Sequence, residues 1–88
     1  MTTSPNVTKH DILPAQARAG RALIGWTREE LASRSKLPDR TVARFELADG
    51  NSRPATVAAI RAALEAAGVE FIEQNGGGPG VRLRQARP

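Results

Sequence analysis

Apolar residues recur at helical spacing in four stretches of the chain, and a final stretch alternates instead. Ala17, Arg21 and Ile24 share one face of a helix predicted over residues 14–24. Pro14 opens it, where a missing N–H costs nothing, and Gly25 closes it. A second helix starts after Thr27 and runs to about Arg34, with Leu31 and Ala32 turned inward. Thr27-Arg28-Glu29-Glu30 reads as a capping box: the Thr27 hydroxyl accepts from the Glu30 amide, and the Glu30 carboxylate reaches back. Glu29 and Glu30 also complement the positive end of the helix dipole. Ser35-Lys36-Leu37-Pro38 breaks the pattern, because proline disfavours helical backbone in the residue before it and so puts Leu37 in a turn. A third helix begins near Asp39 and runs to Leu47; Val42, Phe45 and Glu46 face inward while Arg40, Thr41 and Arg44 point away. Asp49-Gly50-Asn51-Ser52 has the composition of a loop. A fourth helix over about 55–67 carries Val57, Ile60, Leu64 and Ala67 as its apolar stripe, and Gly68 ends it.

The end of the chain differs in kind. Val69-Glu70-Phe71-Ile72-Glu73 and Val81-Arg82-Leu83-Arg84 read as strands, joined by the flexible run Gly76-Gly77-Gly78-Pro79-Gly80. Two short strands are marginal alone. Phe71, Ile72, Val81 and Leu83 therefore either pair with a second copy across a two-fold axis or fold back on the chain's own core; the pattern leaves both open. Residues 1–10 are polar and aperiodic, which predicts a mobile arm. The expected organisation is thus an arm over 1–10, a helical domain over 11–68 and a short β-containing tail over 69–88.

Composition sharpens this. Eighty-eight residues make one small domain, and without cysteine there is no disulfide to brace it, so oligomerisation is the expected support. No apolar run approaches the ~20 residues of a membrane span, and MTTSPNVTKH lacks the basic-then-apolar order of a signal peptide. A soluble cytoplasmic protein is expected. The net charge is +4, and eleven of the thirteen basic residues are arginine, whose planar fork suits phosphates and guanine edges. Nine of the thirteen lie in residues 1–54, against six acids, so any nucleic-acid face belongs to that part. Catalysis is not expected. His10 stands alone, Glu29 and Glu30 face different directions, and the glycine run lacks the Lys-Ser/Thr of a phosphate-binding loop. No metal set or cofactor fingerprint is present, so neither a metal nor a cofactor is expected.

Two short helices joined by a tight turn form a helix-turn-helix unit. Here Gly25-Trp26-Thr27, Glu30-Leu31-Ala32, Thr41-Val42-Ala43 and Phe45-Glu46 resemble the Cro/phage-repressor (XRE) class of helix-turn-helix transcriptional regulators over residues 14–67, and LEAAGVEFIEQNGGGPGVRL resembles a tail found in small regulators of that class. The resemblance implies an all-α, four- to five-helix bundle of the lambda-repressor-like type, to which the β tail is appended. It implies a homodimer on a palindromic double-stranded DNA operator, associated with the nucleoid, with the third helix in the major groove. Position by position, Asp39 and Arg40 match base-reading sites, Thr41 lies on the same face, and Arg44 matches a further base or phosphate contact. Arg28 matches a backbone grip and Arg53 a loop contact to phosphate. Arg21 and Glu46 match positions where the family buries an ion pair; the alternative is two unconnected surface charges. The class usually caps its third helix with Ser or Thr. Pro38 offers no capping oxygen, so Asp39 either caps the helix or reads bases. Trp26 is expected in the core rather than as a stacking platform. Arg40, Thr41 and Arg44 have a plainer alternative as a solvated face. Rival functions are a protein-interaction module, such as an antitoxin or antiactivator, and a recombination-directionality factor.

Overall fold

The computed structural model describes residues 12–47 and 52–85; the expected arm over 1–10 with His10, the Asp49-Gly50-Asn51 loop and residues 86–88 lie outside them. Four helices come first: α1 (Pro14–Ile24), α2 (Arg28–Ser35), α3 (Asp39–Glu46) and α4 (Pro54–Ala66). Two strands follow, β1 (Val69–Ile72) and β2 (Gly80–Leu83). Local signals set the breaks. Gly25 closes α1 at φ 73°, a left-handed conformation that suits glycine. Lys36 closes α2 at φ 60°, and its amide reaches back to Ser33. Pro38 directs the chain into α3 with an extended backbone, and its carbonyl accepts from Thr41 and Val42.

The all-α bundle with an appended tail does not describe this molecule. The described residues hold four helices and an antiparallel hairpin that is part of the core, an α+β arrangement. Register pairs Val69 with Leu83 and Phe71 with Val81. Val69 is wholly buried and Phe71 nearly so, among Ala17, Leu31, Val42, Phe45, Ile60 and Leu64. The reason lies in α1. A Cβ placed on Gly20 would stand 3.3 Å from Val69 Cγ1, so glycine lets the strand sit close against the helix. Gln16 then ties the two together. Its side-chain oxygen accepts from the Leu13 amide (2.8 Å) and its Nε2 donates to the Gly80 carbonyl (2.9 Å), which satisfies a buried amide from both sides. Strand propensity was visible from alternation; the strands' place in the core depends on a glycine and a glutamine far away in the chain.

Candidate nucleic-acid interface

α2 and α3 pack on each other across residues 36–38. The entry to α2 is held by Thr27, whose Oγ1 accepts from the Glu30 amide at 3.0 Å. The other half of the expected box is not made. The Glu30 carboxylate instead accepts from Arg34 Nε at 2.8 Å, and the Arg34 guanidinium lies over the Trp26 ring at 5.3 Å from its centroid. Trp26 is half-buried against the core and, with Arg34, Ala63, Ala66 and Ala67, lines a notch of about 170 Å³. That is smaller than the ~300–1,000 Å³ of ordinary ligand pockets.

The far end of α3 is anchored. Arg21 Nε and Nη2 meet the two carboxylate oxygens of Glu46 at 2.7 and 2.8 Å, a paired geometry that fixes orientation as well as distance. Glu46 is 1% exposed and Arg21 19%. The hydrogen bond to Glu46 raises the Arg21 pKa above its ordinary value, against the opposing effect of burial. Arg21 Nη1 also donates to the Trp26 carbonyl (3.1 Å), and Arg18 donates to the Glu46 backbone carbonyl. Three donor groups from α1 therefore hold the last turn of α3, while Asp39 and Arg40 at its start face solvent and Val42 is buried.

Asp39 is the first residue of α3, not its cap; Pro38 holds the cap position and no side chain bonds there. The capping role for Asp39 is therefore set aside. Asp39, Arg40 and Arg44 are exposed, and Thr41 is half-buried beside them. Arg28 is exposed at the first position of α2, and Arg53 is exposed at the N-cap of α4. Sequence reasoning passed over Lys36, exposed in the turn between α2 and α3; its signal was position alone, since nothing in its type requires a left-handed backbone.

The cations divide into two groups. Arg28, Lys36, Arg40, Arg44 and Arg53 have exposed side chains that meet no hydrogen-bond or ion-pair partner among the described residues. Arg18, Arg21, Arg34, Arg61, Arg82 and Arg84 are all engaged. On the hairpin, Arg82 bonds Glu70 (2.9 Å), which holds the Glu70 carboxyl below its usual range, and Arg84 donates to the Glu65 carbonyl (2.7 Å).

The four residues expected to dimerise lie in different settings. Phe71 is committed to the core beneath the Arg61 guanidinium, and Val81 packs against that core. Leu83 pairs with Val69 on the same inward side, while Ile72 lies on the outer side with Glu70 and Arg82. Among the described residues, no helix is long and apolar enough to cross a membrane, and no group of three or more His, Cys, Asp or Glu residues is placed to hold a metal ion. A scan against protein-family models and a search of curated proteins each give no match to this chain.

Proposed function

We propose that the chain binds double-stranded DNA through α2 and α3, as a small homodimeric transcriptional regulator of the Cro/phage-repressor kind working in the cytoplasm at the nucleoid. One observation carries this reading: among the described residues, four of the five cations without a partner, Arg28, Lys36, Arg40 and Arg44, lie on α2, α3 or the turn between them and the fifth, Arg53, at the start of α4, whereas Arg18, Arg21, Arg61, Arg82 and Arg84 are engaged. An arginine left unpaired on a fixed helix keeps its donors for phosphate oxygens and base edges. Arg40 and Arg44 stand one turn apart on α3 and reach into the groove; Arg28, Lys36 and Arg53 flank them and grip phosphate.

Dimerisation falls to the open edge of β2. The Arg84 amide bonds the Gly68 carbonyl, so in an antiparallel ladder the next pair, Val69 with Leu83, points its backbone groups outward, as does Phe71 with Val81. On the β1 side the outward groups belong to buried residues, but Val81 and Leu83 remain half-exposed. A second copy can add its own β2 there.

Selection of bound duplexes from a random pool, followed by titration across a salt series, tests the proposal. The expected result is a two-fold symmetric site with half-sites about one helical turn apart, and affinity that falls steeply with salt as counterions are released. Absence of duplex binding even at low salt would overturn it and put a protein partner first.

A further inference from the structure

We propose that Asp39 is a specificity filter in the DNA contact: a carboxylate that accepts from the exocyclic amine of a cytosine beside the guanine read by Arg40, and that weakens the grip on sequences with guanine or thymine in its place. The inference rests on the DNA-binding reading and adds to it a named base and a repulsive element.

Asp39 opens α3 with an exposed side chain, takes no hydrogen bond among the described residues, and adjoins Arg40, which is in the same condition. The other acid of α3, Glu46, is buried against Arg21, so Asp39 is the helix's only outward carboxylate. For a surface that merely clings to phosphates, an anion at the leading turn is a defect, since it repels the same backbone its neighbours attract. It becomes useful where it meets a donor. In the major groove, cytosine presents its N4 amine, whereas guanine presents the acceptors O6 and N7. An acceptor-only side chain next to a donor-only one thus matches a cytosine next to a guanine at adjoining base pairs. Facing guanine or the thymine O4, Asp39 meets only acceptors and is repelled, so discrimination comes from the penalty on wrong sites as much as from the right contact. A carboxylate at this position also favours the positive end of α3, and the test must separate that structural role from base reading.

The whole chain and its Asp39→Asn, Asp39→Ala and Asp39→Glu variants are each taken through selection from a random duplex pool. Each is then titrated against the wild-type site and a scrambled duplex at low and physiological salt. The wild type is expected to select cytosine at one position of each half-site, next to guanine. Asp39→Asn should move that position towards adenine, whose N6 and N7 match a carboxamide, and Asp39→Ala should erase the preference there. In both, the ratio of specific to scrambled affinity should fall about tenfold or more, partly because scrambled binding rises about two- to fivefold at low salt. Asp39→Glu keeps the charge and the support of α3, and should keep scrambled binding weak. If all four proteins select the same base there, with specific-to-scrambled ratios within twofold, Asp39 only supports the helix. The inference then fails while the DNA-binding reading stands. A wild type that binds no duplex overturns both.

Discussion

On the hairpin, Arg82 lies across Glu70 and Arg84 is spent on a backbone carbonyl; on the helix pair, Arg28, Arg40 and Arg44 meet no partner among the described residues. Both regions are rich in exposed arginine, and a count of charges treats them alike. Exposed ion pairs such as Arg82–Glu70 add little stability, but they neutralise the field around them and occupy the donors. Whether a cation is engaged therefore says more about its availability to a polyanion than its number or its place in the sequence. The two regions also differ in what lies beneath the charge. On the hairpin, Val69 and Phe71 complete the core, whereas α3 opens with Asp39 and Arg40, both exposed, ahead of the buried Val42.

The largest expected effect follows from that second difference. If the hairpin is structural, a chain ending at Gly68 loses Val69 and Phe71 from a core that is small to begin with. Emptying a large aromatic site alone costs about 3–5 kcal/mol, a large share of the total stability of a small domain. Circular dichroism should show the helices of the truncated chain unfolded or melting far below the full chain. Helices that melt unchanged would make the hairpin an accessory after all, and would break the contrast drawn here.

A smaller effect sharpens the account of how α3 is held. Arg21→Ala strands Glu46, at 1% exposure, with its charge unmatched, and should cost about 3–5 kcal/mol. Glu46→Ala leaves Arg21 at 19% exposure, able to turn towards water, and should cost less. The double variant should cost less than the sum of the two. Thermal or denaturant melting of all three proteins measures this, and strict additivity would show that the pair does not anchor the helix.

Much of this was legible in the sequence for local reasons. Gly25 and Pro38 mark element ends through their own backbone preferences, and the spacing of Val42, Phe45 and Glu46 set the inner face of α3. What was not legible depended on distant partners. Glu30 has a choice between the Thr27 amide and Arg34, and takes Arg34. The tail read as two strands, but whether they paired with a second copy or folded back on the core stayed open; Val69 close against Gly20 and Gly80 bonded to Gln16, both contacts with distant α1, place them in the core. Asp39 was ambiguous because a chain entering a helix through proline can be capped by either residue; the extended backbone of Pro38 puts Asp39 inside the helix.

The central claim is that unpaired cations on the helix pair, and not the basic charge of the chain at large, bind DNA. Two double variants of equal charge loss separate these: Arg40→Ala with Arg44→Ala on α3, and Arg82→Ala with Arg84→Ala on the hairpin. Affinity for the selected duplex is measured for both at several salt concentrations, after melting shows each to be folded. The account predicts that the α3 pair loses about a hundredfold or more, on the order of 1–3 kcal/mol for each base contact. It also predicts a shallower salt slope for that pair, while the hairpin pair stays within about twofold of the wild type with its slope unchanged. Equal losses in the two, or a larger loss from the hairpin pair, would contradict it.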